Sequence, residues 1–126
     1  MTHMSFELKI VNDLVHLRYS GHVDALEVIR LVKDSDFIPL LGRYKKMIYD
    51  FSNATSFDLH FDEVKQFSII ANVEANFIDS VHIVIVLKRP SGREIAEHYR
   101  DEITAPGWHV DIVESLDEAM TLLSQS

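Results

Sequence analysis

The sequence contains no cysteine, which excludes disulfides, thiolate nucleophiles and zinc–thiolate sites. It also lacks an apolar run near the ~20 residues that span a bilayer, and its N-terminus lacks the pattern of a signal peptide. Basic residues are few: 12 Lys and Arg stand against 20 Asp and Glu, a formal net charge of -8. This charge argues against binding nucleic acid or an anionic membrane. We therefore predict a cytoplasmic protein that does not insert into membranes.

The 126 residues, of which 47% are hydrophobic, suffice for the core of one domain without a structural metal. We predict a single α/β domain over residues 5–126, preceded by a short leader from Met1 to Met4.

Alternating apolar and polar residues from Phe6 to Ile10 and from Leu14 to Tyr19 predict a β-hairpin around Asn12-Asp13, its second arm ending at Ser20-Gly21. Strands and helices then alternate. The predicted strands are Lys46–Phe51, Val81–Leu87 and Val110–Val113, and the predicted helices begin at Asp24, near His60, at Ser91 and at Ser115. The segments Ile38–Gly42 and Ser52–Ser56 are predicted as a connector and a polar turn. The order predicts a mixed, mostly parallel five-stranded sheet with four helices and an antiparallel edge hairpin.

The residues after the third strand, Asp50-Phe51-Ser52-Asn53-Ala54-Thr55-Ser56-Phe57-Asp58, resemble a family motif. Together with the hairpin-first order they are similar to the STAS domain of anti-sigma-factor antagonists and sulphate transporters. The chain looks closer to uncharacterised bacterial STAS-like or STAS/SEC14-like proteins, whose C-terminal part has the same order of strand, helix, strand and helix. The resemblance implies a strand–helix superhelix that serves as a regulatory or protein-interaction module.

The alignment of Asp50 and Ser52 with this motif places Leu59 on the serine that partner kinases phosphorylate in the family, and Phe61 on a glycine. A leucine has no hydroxyl. The resemblance therefore implies that the phosphorylation switch of the antagonists does not operate at this residue.

Residues at the carboxyl end of a parallel strand are candidates for contact with a ligand or partner. Those of this chain are Asp50, Ser52, Thr55, Asp58, Leu59 and Phe61. Acids and hydroxyls of this kind also satisfy local backbone groups in turns, and we favour that interpretation over a metal or polar-ligand site. No metal site and no cofactor is assigned.

A basic, glycine-containing turn precedes the third predicted helix and is a candidate anion site, because unpaired N–H groups and the helix dipole attract anions there. Its candidate residues are Lys88, Arg89, Ser91, Gly92 and Arg93. The alternative, which we favour, is that Ser91 caps the helix and the basic side chains are solvated.

An apolar stripe accompanies the second predicted helix: Phe57, Phe61, Val64, Phe67 and Ile70, followed by Phe77 and Ile78. Core packing is the favoured interpretation. The stripe is also a candidate wall for a hydrophobic ligand, or a dimer face.

No nucleophile–base pair can be assembled from the motifs, so we predict a non-enzymatic STAS-like module. It is expected to bind a protein partner or itself through Asp50–Phe61. The alternative is a carrier or sensor of a small hydrophobic or anionic ligand.

Overall fold

A computed structural model describes residues 6–88 and 92–125. The described strands are β1 (Phe6–Val11), β2 (Leu14–Asp24), β3 (Lys46–Asp58), β4 (Val81–Val86) and β5 (Trp108–Val113). The described helices are α1 (Ala25–Val32), α2 (Phe37–Tyr44), α3 (Phe61–Glu74), α4 (Arg93–Glu102) and α5 (Leu116–Ser124). The predicted leader lies outside these ranges.

The five strands form one sheet in the order β1-β2-β3-β4-β5. The β1–β2 pair is antiparallel and every later pair is parallel, so the predicted mixed sheet with an edge hairpin is confirmed. The hairpin turns at Asn12 and Asp13, whose φ angles of 50° and 61° suit the left-handed geometry of tight hairpin turns.

The helices cover the two faces of the sheet unequally. Residues from α1, α2, α3 and α4 join the larger hydrophobic core on one face, whereas α5 packs a smaller core on the other. Strand β4 contributes Ile83 and Ile85 to the first core and Val84 and Val86 to the second. This double burial confirms β4 as an internal strand, as its apolar run predicts.

Two of the predicted helix caps are present. The carboxylate of Asp24 accepts a hydrogen bond from the Glu27 N–H at 3.1 Å, and the Ser115 hydroxyl accepts one from the Glu118 N–H at 3.2 Å. Each side chain thereby satisfies a backbone donor that has no partner within its own helix.

The predicted connector at Ile38–Gly42 is wrong, because these residues belong to α2. Pro39 lies in the first turn of that helix, where a residue without an N–H breaks no helical hydrogen bond. The described part of the chain therefore has five helices, one more than predicted.

The predicted turn at Ser52–Ser56 is also wrong. Strand β3 continues through these residues to Asp58 and pairs with the end of β2, which itself continues past Gly21 to Asp24. The register shifts twice along this extension. The polar extensions of β2 and β3 satisfy the backbone hydrogen-bonding groups of each other. Their sequences do not alternate between apolar and polar residues, so the pairing leaves no pattern in the sequence.

Candidate functional site: an apolar recess beside α3

A recess of about 80 Å³ lies between the sheet and α3, on the face of the larger core. Strands β2, β3 and β4 form its floor, and α1, α2, α3 and α4 surround it. The described lining residues are Tyr19, Val28, Phe37, Tyr49, Phe51, Phe57, Leu59, Val64, Phe67, Ile70, Glu74, Ile85, Leu87, Gly92, Ile95, Ala96 and Tyr99. Nearly all of these side chains are apolar or aromatic, which is typical of small-molecule pockets.

Five aromatic rings form a continuous wall of the recess. Phe51 stacks on Tyr19 and Tyr49, with ring centroids 5.2 and 6.1 Å apart, and meets Phe57 edge-on at 5.5 Å. Tyr49 in turn meets Tyr99 at right angles at 6.3 Å. These separations are those of favourable aromatic pairs, so the rings hold one another in place.

The recess has a polar end. The Tyr19 hydroxyl and Oε2 of Glu74 are both buried without a hydrogen-bond partner, whereas the hydroxyls of Tyr49 and Tyr99 bond to each other. Burial raises the pKa of Glu74 to about 7. Burial also raises the pKa of each of the three tyrosines well above its ordinary value, so these hydroxyls stay neutral.

The predicted apolar stripe divides between the recess and the surface. Phe57, Val64, Phe67 and Ile70 line the recess, as the ligand-pocket interpretation requires. The expectation that Phe61 lies on the buried side of its helix is wrong: the ring is 50% exposed and contacts His98, with ring centroids 5.0 Å apart.

The last two residues of the apolar stripe also differ in their exposure. Phe77 is 82% exposed, whereas Ile78 is buried in the larger core. Neither side chain lines the recess among the described residues. Both residues follow the end of α3 at Glu74, Phe77 within the turn and Ile78 directly after it.

The candidate partner-binding residues do not form one surface. Leu59 lines the recess, Thr55 and Asp58 are exposed, and Ser52 is half-buried beside Asp50. Asp50 itself is only 1% exposed and faces away from the recess, in the direction of the smaller core. Its carboxylate is therefore not presented to a partner.

Asp50 is the centre of a buried polar cluster. It accepts a hydrogen bond from Nε2 of His16 at 2.9 Å, and its other oxygen accepts from the Ser52 hydroxyl and N–H at 2.5 and 2.9 Å. Nε of Arg18 lies 3.7 Å away. Burial alone would raise the pKa of Asp50, but the hydrogen bonds from His16 and Ser52 outweigh it and lower this pKa to about 2. The cluster stabilises the sheet.

The candidate anion site is only partly described. Arg89 and Ser91 lie outside the described residues, so the predicted cap at Ser91 stays a prediction. Lys88 is exposed, and Arg93 is exposed with its Nε 3.7 Å from Glu97. Gly92 precedes α4 with a φ of 89° and lies against the Phe57 ring, where an added Cβ would come within 3.2 Å of that ring.

The polar end of the recess was missed in the sequence. Tyr19 and Tyr49 lie on strands of separate βα units, and Tyr99 lies on α4. Glu74 did carry a signal: it follows Phe67 by seven residues and Ile70 by four, the spacing of the buried face of a helix. An acid at such a position indicates a buried carboxyl.

The described residues contain no cluster of three or more His, Cys, Asp or Glu that could hold a metal ion. In the same ranges, no helix has the length and apolar character needed to cross a membrane.

No family model matches the chain, and no curated protein matches it significantly. Solved structures do match. One is the anti-sigma factor antagonist SpoIIAA in its unphosphorylated form, with a TM-score of 0.62 and 13% identity over 96% of this chain and 98% of that one. Another is the Bacillus cell fate determinant SpoIIAA in the phosphorylated form, with a TM-score of 0.55 and 16% identity over 94% and 98%. This chain therefore has the fold of the anti-sigma factor antagonists, the STAS-like fold that its residues resemble.

Proposed function

We propose that this chain is a non-enzymatic STAS-fold module that binds a small, mainly apolar molecule in the recess beside α3, as a carrier or sensor. The observation that carries the proposal is the aromatic-walled recess that ends in two buried oxygens without partners. Among the described lining residues there is no Ser, Thr, Cys, Lys or His, which favours binding over nucleophilic catalysis.

The volume of the recess supports a binding role. Protein interiors are close-packed, and voids larger than a water molecule are few in each domain. A ligand that fills the recess gains dispersion contacts with its apolar walls, and these contacts contribute to affinity.

Isopentyl alcohol, a neutral molecule with five carbon atoms, tests the proposal. Titrated into isotopically labelled protein, it is expected to shift the methyl NMR signals of Val64, Ile70 and Ile85 saturably, because these side chains line the recess. Ala96→Leu fills the recess from α4 and should abolish the shifts. Native mass spectrometry of freshly purified protein adds a second readout, in which extra mass indicates a retained ligand.

The matched control is Glu94→Leu, which adds the same side chain at an exposed position of α4. It should leave the titration unchanged. Shifts that persist in Ala96→Leu would overturn the proposal, and so would the absence of saturable shifts from isopentyl alcohol and from its amine and carboxylate analogues.

A second candidate function, regulation through protein contact, is favoured by the outer side of α3 and the turn that follows it. Ile69 and Val73 are each 53% exposed and Phe77 is 82% exposed, at intervals of four residues. This outer stripe, Ile69, Val73 and Phe77, is apolar surface without a partner in the described structure. The solved neighbours are named as antagonists of an anti-sigma factor, which is a protein partner.

We infer that the occupant of the outer stripe is a different protein with a basic surface. The net charge of -8 repels a second copy and attracts a basic partner. Because the motif alignment places Leu59 on the phosphorylatable serine of the STAS family, contact with the partner is not expected to be switched by phosphorylation at that residue.

Sedimentation and affinity capture test this second function. The wild type should sediment as a monomer and retain a basic protein from its own cells, and Phe77→Ser should lose that protein. Gln66→Ser, at an exposed position of the same helix, should keep it. A dimer that Phe77→Ser dissociates would contradict the inference and assign the stripe to a second copy.

A further inference from the structure

The recess contains two oxygens whose hydrogen-bonding capacity is unused. Tyr19 is fully buried and its hydroxyl has no partner, and Oε2 of Glu74 is buried without one. Buried polar atoms in proteins are almost always satisfied, and each exception lowers stability. Both side chains line the recess, so a polar group on a bound molecule would reach the same space.

The described residues that line the recess carry formal charge of one sign. Glu74 is the only lining residue with a formal charge in the described ranges, and none of the described lining side chains is Lys, Arg or His. Glu27, on α1, also acts electrostatically on Tyr19, but its Oε1 is paired with Nη1 of Arg30 at 3.5 Å, so Glu74 sets the sign of the charge. The exposed side chains of Lys88 and Arg93 do not line it. Such a field attracts an organic cation and repels a carboxylate.

The aromatic wall suits the same kind of ligand. The stacked rings of Tyr49 and Phe51, together with Phe57, offer apolar surface to a carbon skeleton and electron-rich faces to an adjacent positive charge. Hydrogen-bonding capacity agrees, since an ammonium group donates up to three hydrogen bonds and each of the unpartnered oxygens can accept one.

We propose, on the basis of the ligand-binding function proposed above, that the recess takes a small organic amine in its protonated form. Its apolar body lies against the aromatic wall and its ammonium group donates to Glu74. The volume of about 80 Å³ restricts the enclosed part of the molecule to a few carbon atoms.

This ligand class predicts a pH dependence of binding. Tyr49 on β3 and Tyr99 on α4 face Glu74, and both stay neutral because burial raises the pKa of each hydroxyl. On the far side of the cluster, Tyr19 is neutral for the same reason and Glu27 is a second acid. The amine remains protonated throughout, so its affinity should rise at least tenfold from pH 5 to pH 8 as Glu74 ionises.

Three molecules with the same carbon skeleton test the proposal: isopentylamine, isopentyl alcohol and isovalerate. Each is titrated into labelled protein at pH 5 and pH 8 while the methyl signals that line the recess are followed. At pH 8 the amine should bind at least tenfold more tightly than the alcohol, and isovalerate most weakly. Glu74→Gln should remove the preference for the amine and the pH dependence of its binding, so that the ratio of the amine and alcohol affinities approaches one at both pH values.

The outcomes separate the two proposals. If the alcohol or isovalerate binds as tightly as the amine, or if Glu74→Gln retains the preference for the amine, the inference about the ligand class is overturned and the recess remains a binding site. If none of the three molecules shifts the signals at either pH, the proposed function fails and this inference fails with it.

Discussion

Replacing Glu74 by Gln should stabilise the protein at neutral and alkaline pH. The glutamine amide has nearly the same shape as the carboxyl but never ionises, so the substitution removes the cost of a buried negative charge. Burial raises the pKa of Glu74 from its ordinary 4.5 to about 7. That difference corresponds to about 3 kcal/mol, and because the side chain is only partly buried we expect about 2 kcal/mol after solvent screening.

The sign follows from proton linkage. Between pH 4.5 and pH 7 the folded protein keeps the Glu74 proton that the unfolded chain has released. The stability of the wild type therefore decreases as pH rises through this window, relative to a variant that cannot titrate. The contribution is fully present below pH 4.5 and is lost above about pH 7.

Urea denaturation of both proteins at intervals from pH 4 to pH 8.5 measures the effect. The unfolding free energy of Glu74→Gln minus that of the wild type should rise by about 2 kcal/mol across the window, or about 1 M in urea midpoint for a domain of this size. Any effect of the amide group that does not depend on pH is equal at every pH, so it does not contribute to this rise. Glu114→Gln, at an exposed position before α5, is the matched control and should give a flat difference.

A flat difference for Glu74→Gln would refute the reasoning, because it would mean that the carboxyl titrates in the folded state as it does in the unfolded chain. A difference that decreases with rising pH would refute it more strongly, since it would require a partner that stabilises the ionised form.

Three further predictions concern stability elsewhere. Asp50→Asn should lower the unfolding free energy by about 3 kcal/mol in urea denaturation at pH 7, because His16 and Arg18 lose their anionic partner. Because the pKa of Asp50 is lowered from 3.8 to about 2, the wild type should lose about 2 kcal/mol more than the variant between pH 4 and pH 2. Gly107 has a φ of 84°, and a Cβ added there would lie 2.7 Å from the Asp79 carbonyl, so Gly107→Ala should lower Tm by about 10 °C in a thermal unfolding scan. At Gly21 an added Cβ meets nothing within 4 Å, so Gly21→Ala should lower Tm by less than half as much. Trp108→Phe removes a 2.9 Å hydrogen bond to a buried carbonyl and should cost about 1 to 2 kcal/mol by urea titration.

The fold was largely predictable because its main elements carry local signals. Alternating apolar and polar residues predict the hairpin, and the run of apolar residues on both faces predicts β4 as an internal strand. The capping residues Asp24 and Ser115 predict where two helices begin. The extension of β3 past Phe51 was not predictable, since its polar residues are held by pairing with β2, a contact distant in sequence. Helix α2 was not predicted because Pro39 and Gly42 both disfavour a helix locally, whereas tertiary packing stabilises one.

The candidate site was harder to predict because side chains alternate along a strand. Tyr49 and Phe51 face the recess, and Asp50 between them faces the other side of the sheet. A motif centred on Asp50 and Ser52 therefore directed attention to the face of β3 opposite the recess. The apolar stripe directed it to the recess, through Phe57 and Val64.

The two proposed functions meet on one helix and are nevertheless separable by experiment. The inner side of α3 carries Glu74 to the recess, and its outer side carries Val73 to the surface. Ala96→Leu fills the recess from α4 and leaves the outer stripe intact, whereas Phe77→Ser alters the stripe and leaves the recess intact. A carrier alone predicts that Phe77→Ser binds the small molecule normally. A sensor predicts more: the partner should respond to the ligand in the wild type and lose that response in Ala96→Leu, because any ligand that reaches Glu74 acts on the helix whose other side contacts the partner.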